Sequence, residues 1–106
     1  MSMPLLTVTA SQTDRTGHLV LEGEIDLSTS HLLVDAIDAA IESGATTVVL
    51  DFGAVTFVNS TGLGAMVAAT KRLRMLSGDL VLRNFQGIPA SALATTGLDR
   101  FFTIDS

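Results

Sequence analysis

The run Thr46-Thr47-Val48-Val49-Leu50-Asp51-Phe52 constrains the fold more than any other stretch of this 106-residue chain. Its residues are β-branched or apolar almost throughout, which is the composition of a strand buried on both faces or nearly so. Helical periodicity flanks it. From Leu33, apolar positions recur every four residues at Leu33, Ile37 and Ile41, with Ala36 and Ala40 beside them and Asp35, Asp38 and Glu42 opposite. Ser28, Thr29 or Ser30 can cap that helix, and Gly44 can end it as a left-handed residue. A second helix is expected to begin near Ser60, with Leu63, Met66, Val67, Thr70, Leu73 and Leu76 along one face and Ser77-Gly78 closing it. A buried strand with a helix on each side implies crossover connections and a parallel sheet.

The remaining elements are shorter. Residues 5–10 and 18–22 are strand-like, and the polar stretch Ser11–Gly17 between them has the composition of a hairpin turn. Residues 80–83 and 101–104 form two further strands. A third, short helix is marked by Pro89 in its first turn and Gly97 at its end. The order is β-β-α-β-α-β-α-β. The expected fold is α/β, a mixed but mostly parallel sheet of four to five strands with about three helices that could cover one sheet face. No repeat, linker or low-complexity segment divides the chain, and its length suits a single domain over residues 1–106.

Composition narrows the function classes. The chain is 47% hydrophobic, enough for a filled core, so disorder is not expected. Its longest weakly polar run, Gly62–Ala69, is far short of the roughly 20 residues a bilayer-spanning helix needs. Met1-Ser2-Met3-Pro4 lacks the basic and apolar regions of a signal peptide. With no cysteine there is neither disulfide nor thiolate chemistry, and a cytoplasmic location is expected. A net charge of −5 argues against direct nucleic-acid binding. The charge is uneven, with Arg15 the one base before residue 58. Lys71, Arg72 and Arg74 read first as a solvated helix face and second as a docking patch.

Two segments could carry function. In Val48–Gly64 a buried strand leads to Asn59-Ser60-Thr61-Gly62 at a helix start. Helix N-termini present unpaired N–H groups and the positive end of the dipole, which suits an anion such as phosphate. Gly62 and Gly64 each cost the helix about 1 kcal/mol relative to alanine and so require a reason: close packing on the sheet, or access to Ser60. An ordinary cap with packing glycines accounts for the same residues. The second segment, Gly23-Glu24-Ile25-Asp26-Leu27, could lie beside Ser60 if both sit at one sheet edge, or be a turn with two solvated acids.

Taken together, LEGEIDLSTSHLLVDAI, VVLDFGAVTFVNSTGLGAM, LVLRNF and ATTGLDRFF resemble the STAS family, and in particular the bacterial anti-sigma-factor antagonists, from about residue 5 to residue 104. The resemblance implies a partner switch. An anti-sigma factor that is also an ATP-dependent serine kinase phosphorylates the antagonist; the unphosphorylated form binds that factor and frees the sigma factor, the phosphorylated form lets go, and a phosphatase resets the cycle. The family's D-S-[ST]-G-L-G motif makes Ser60 the acceptor, with Asn59, Thr61, Gly62, Leu63 and Gly64 completing the partner-binding segment. Asp26 matches the G-x-[IL]-D position and is carried over as a partner-binding residue. Two departures stand out. Asn59 replaces the usual Asp, keeping the capping oxygen without its charge. The sequence also stops two residues after Ile104, where many relatives continue into a helix; an uncovered sheet face there would favour a homodimer.

Other classes find little support. His18 and His31 are isolated histidines, and a Ser60–His31–Asp26 triad can be written, but no G-x-S-x-G elbow accompanies it. There is no G-x-x-x-x-G-K-[ST] phosphate loop, and the acidic pairs show no metal-ligand spacing. No catalytic residue, metal or cofactor is therefore assigned. The competing reading is a STAS subunit of a lipid-transport ABC complex, or of a sensory assembly, that is not phosphorylated.

Overall fold

Asp14 and Arg15 turn the chain between β1 (Leu6–Thr13) and β2 (Thr16–Ile25), which pair antiparallel from Thr13–Thr16 at the turn to Leu6–Gly23 at the far end. The polar stretch read as a turn is thus mostly strand. β1 lies at a sheet edge and exposes most of its side chains, so no apolar alternation marks its second half. The computed structural model describes residues 5–105, leaving aside the Ile88 side chain. Met1–Pro4, the residues on which the signal-peptide expectation rests, fall outside them.

The chain continues through α1 (Ser30–Glu42), β3 (Thr47–Val58), α2 (Ser60–Met75), β4 (Asp79–Arg83), α3 (Gly87–Thr96), a 3-10 turn (Leu98–Arg100) and β5 (Thr103–Asp105). The sheet order is β1-β2-β3-β4-β5, with every pair after the first parallel. Strands that step steadily in one direction through right-handed crossovers place all their helices on one face. Burial agrees with this. Leu19, Leu21, Val48, Leu50, Leu80 and Leu82 join Leu33, Ile37, Met66, Leu73 and Leu93 of the helices in one core. The α/β class, the mixed sheet and the single helical layer are as the sequence implies. Val49, on the opposite face between His18 and Val81, is still only 7% exposed.

The helix ends follow local chemistry. At the end of α1, Ala45 N–H bonds Ala40 O at 3.0 Å and Gly44 N–H bonds Ile41 O at 2.9 Å, with Gly44 at φ 97°. This is the paired closure expected of a left-handed glycine. α2 closes in the same way through Ser77 (φ 63°) and Gly78, whose N–H reaches Leu73 O at 2.9 Å. Its buried face is Leu63, Met66, Thr70 and Leu73. Leu76, expected on that face, is the C-cap and is 45% exposed. The last strand also starts later than expected. The 3-10 turn draws Phe101 and Phe102 back by N–H bonds to Leu98 O, so strand pairing begins at Thr103.

The largest departure is in β3. The sequence suggests a strand ending at Phe52, yet β3 runs to Val58. Its register against β2 shifts between Val20 and Glu22 and again between Gly23 and Glu24, so β3 carries two bulges. Asp51 anchors the first, its Oδ1 accepting from Gly53 N–H at 2.9 Å and from Asn84 Nδ2 at 3.0 Å. These bonds, the Asn84 side chain first, hold the Asp51 carboxyl below the usual carboxylate range. Beyond the bulges the strands re-pair, ending together at Ile25 and Val58.

Candidate functional site

The common end of β2 and β3 brings the two sequence segments together. Asn59 N–H donates to Ile25 O at 3.1 Å, so the start of α2 is tied to the last residue before the β2–α1 loop. Asn59 is the N-cap of α2, its extended backbone turning into the helix while Oδ1 accepts from Thr61 N–H at 3.0 Å and Gly62 N–H at 3.2 Å. The capping oxygen that distinguishes Asn from an apolar residue is therefore in use.

Ser60 is the first helical residue and is exposed, as is Thr61. No acidic residue lies in the first turn of α2. The positive end of the dipole therefore faces solvent beside the Ser60 hydroxyl. Gly62 and Leu63 are buried, Leu63 at 4%. Their part is to seat the helix. A Cβ on residue 62 would lie 2.6 Å from Ile25 Cγ2 and 2.9 Å from Val58 Cγ2, so only glycine lets α2 start this close to the two strand ends. Gly64 differs. It is exposed, and a Cβ there would meet nothing within 4 Å. Packing thus accounts for one glycine and not for the other.

Asp26 opens the loop opposite. Its Oδ1 accepts from Ser28 N–H at 2.9 Å, Ser28 Oγ at 2.8 Å and Thr29 N–H at 3.2 Å. Thr29, 5% exposed, donates through Oγ1 to Glu24 O at 2.8 Å and accepts from Asp26 N–H at 2.9 Å. The Ser28 hydroxyl, ahead of the backbone donors, holds the Asp26 carboxyl below the usual carboxylate range. Asp26 is thus first an organiser of the loop and of the entry to α1, with Oδ2 free of donors among the described residues. No hydrogen bond joins His31 to Asp26 or Ser60 among them.

Composition and spacing did not single out Ser28 and Thr29 as parts of this edge, although Asp26-Leu27-Ser28-Thr29 has the Asp-x-Ser pattern of a side chain bonding backbone two residues on. Leu27 and Phe57 fell inside the two segments but were given no role of their own. They are 78% and 41% exposed, on the loop and the strand that flank the start of α2. The basic trio on α2 is mostly engaged within the fold. Arg72 pairs with Asp38 of α1, while Arg74 bonds Asp79 Oδ1 at 3.0 Å and Phe101 O at 2.7 Å and lies 4.8 Å over the Phe101 ring.

The architecture is that of a small α/β module with helices on one sheet face and a helix start and acidic loop displayed at one end of the sheet. The STAS domain profile matches residues 7–106, and the chain belongs to the STAS family. It is 31% identical over its whole length to the anti-sigma-F factor antagonist RsfB of Mycobacterium tuberculosis, covering 87% of that protein. The crystal structure of an anti-sigma factor antagonist from Mycobacterium paratuberculosis superposes with a TM-score of 0.83 at 28% identity, over 98% of this chain and 89% of that one. Bacillus SpoIIAA in its phosphorylated form shares the fold at 20% identity, with a TM-score of 0.72 over 94% of this chain and 92% of that one. No helix among the described residues is long and apolar enough to cross a membrane.

Proposed function

We propose that this chain is an anti-sigma-factor antagonist that docks on its anti-sigma factor through the Ser60 edge and is released when that factor, acting as a serine kinase, phosphorylates Ser60. The observation that carries this is an exposed serine at the first position of a helix whose cap and glycines leave it uncovered. The Ser60 oxygen takes the terminal phosphoryl group of ATP, ADP leaves, and the hydroxyl proton passes to a kinase base. The chain itself binds and is modified without catalysing a reaction. A phosphatase restores the hydroxyl, and the cycle runs in the cytoplasm. The protein can also pair with a second copy of itself.

The chemistry of the edge supports the switch. A phosphate adds roughly −1.5 to −2 charges and three acceptor oxygens. Asn59 already occupies the Thr61 and Gly62 N–H groups, so the phosphate would be held mainly by the dipole, at about 0.3–1 kcal/mol, and would stay outside the fold. Against an acidic or desolvated partner surface the same charge costs several kcal/mol. Asp26, Thr61 and Gly64 then belong to the docking surface by contact, and Asn59, Gly62 and Leu63 by shaping it. Gly64 favours this independently, because nothing within the fold calls for a glycine there.

The test is a pull-down from the native host with and without ATP, followed by phosphosite mapping. Capture of a small ATPase-like kinase, with ATP-dependent phosphate on Ser60 and none on Ser60→Ala, is the expected result. Co-purification with a membrane transporter and no phosphate on residue 60 would instead favour the lipid-transport reading.

A further inference from the structure

β1 lacks the devices that commonly stop an edge strand from pairing with another chain. Leu6–Thr13 contains no charged residue and no proline, and all eight of its residues pair with β2 without a bulge. Each of the other strands carries at least one Asp, Glu or Arg. The opposite edge, β5, has three residues among those described and carries Asp105, whose carboxylate pairs with Arg83 of β4 at 3.2 Å. An uncharged, unbroken edge is thus confined to one side of a molecule whose net charge of −5 otherwise keeps copies apart.

The backbone directions can be read from the hairpin. Glu24 N–H bonds Leu5 O at 2.7 Å, so by antiparallel alternation the odd positions of β1 bond β2 and Leu6, Val8, Ala10 and Gln12 turn their N–H and C=O groups outward. Thr7, Thr9, Ser11 and Thr13 share the helix-free face of the sheet, while Leu6 and Val8 pack against the core on the other.

We propose that β1 pairs antiparallel with β1 of a second copy about a two-fold axis at Thr9, joining the two sheets into one. In that register Thr9 faces Thr9, Thr7 faces Ser11, Val8 faces Ala10 and Leu6 faces Gln12, and every outward backbone group gains a partner. The strand is close to self-complementary, a hydroxyl row meeting a hydroxyl row and no charge meeting its like. This favours a second copy over a foreign strand. A groove of about 250 Å³ lies between β1 and α1 on the helix side, lined by Ala10, Gln12, Leu19, Ala36, Ala40 and Ser43, with Gln12 Nε2 donating to Ser43 O at 2.9 Å. The Ser60 edge lies two strands away, so both copies keep it accessible. The pairing does not depend on partner switching at Ser60.

The experiment uses the full chain in sedimentation velocity from the micromolar to the millimolar range, with two cysteine variants in a protein that has no other thiol. Facing Thr9 residues form a non-hydrogen-bonded pair, whose Cα spacing of about 4.5 Å suits a disulfide. Mild oxidation should link Thr9→Cys into a dimer and leave the turn variant Asp14→Cys unlinked. Ala10→Pro, which removes an outward N–H, and Thr9→Lys, which places a charge on the axis, should each return the mass to that of one chain with unchanged circular dichroism. Ser60→Asp should dimerise as the wild type does. A wild type that stays monomeric across the range, equal crosslinking of both cysteine variants, or a dimer that survives Ala10→Pro and Thr9→Lys together would overturn the pairing.

Discussion

A methyl group added at residue 62 would press on Ile25 and Val58, whereas one added at residue 64 would enter open space. Gly62→Ala should therefore destabilise the fold by about 1–3 kcal/mol through overpacking. Gly64→Ala should stabilise it by about 1 kcal/mol through helix propensity, while weakening partner docking. Thermal unfolding and a binding titration on both variants check the contrast. At the loop, the Asp26 carboxyl is held low by the Ser28 hydroxyl first. Ser28→Ala should raise the Asp26 pKa toward its ordinary value, read by NMR titration of the carboxyl carbon. The family resemblance, not spacing, brought Asp26 to notice as a residue facing a partner, and it could not show the inward use of Oδ1. That use depends on a loop conformation, set by the buried Thr29, which alternation and periodicity do not encode.

Among the elements, β3 decides where the site sits. Its first half was legible because Val48, Val49 and Leu50 are all buried. Its second half was not, since Gly53 and Ala54 look like a break and the bulges shift the period of Val55 and Val58 relative to what precedes them. The start of α2 was legible because a cap residue, an exposed hydroxyl and a small residue in sequence have few other uses. Asn59→Ala should cost about 1 kcal/mol by leaving the Thr61 and Gly62 N–H groups without their acceptor. Asn59→Asp should keep the cap and gain about 0.3–1 kcal/mol from charge at the helix N-terminus. Chemical denaturation of the two variants separates cap from charge.

For the molecule as a whole, one helical layer over a sheet of steadily ordered strands leaves one face and the β1 edge uncovered among the described residues, and the candidate site lies at the paired ends of β2 and β3. Asp26, Asp51 and Asp79 are all held below the usual carboxylate range; at Asp79 burial works the other way but is outweighed by bonds from Thr103, Leu80 N–H and Arg74. Groups with depressed folded pKa values contribute stability above their unfolded pKa and lose it as pH falls through the folded value. Stability should thus hold from neutral pH down to the ordinary carboxylate range and then drop with further acid, as the denaturant midpoint against pH will record. The order of elements and the single covered face could be read from the chain because they follow from periodicity and crossover handedness. The antiparallel hairpin could be read too, but not the full length of its edge strand, because the polar second half of β1 has the composition of a turn.

The central claim is that charge on one exposed hydroxyl governs docking, and the most direct measurement is the affinity of the purified anti-sigma factor for this protein with Ser60 unmodified and fully phosphorylated. The switch predicts a loss of about a hundredfold or more on phosphorylation, equivalent to roughly 3 kcal/mol, with the circular dichroism unchanged. Equal affinity of the two forms would contradict it.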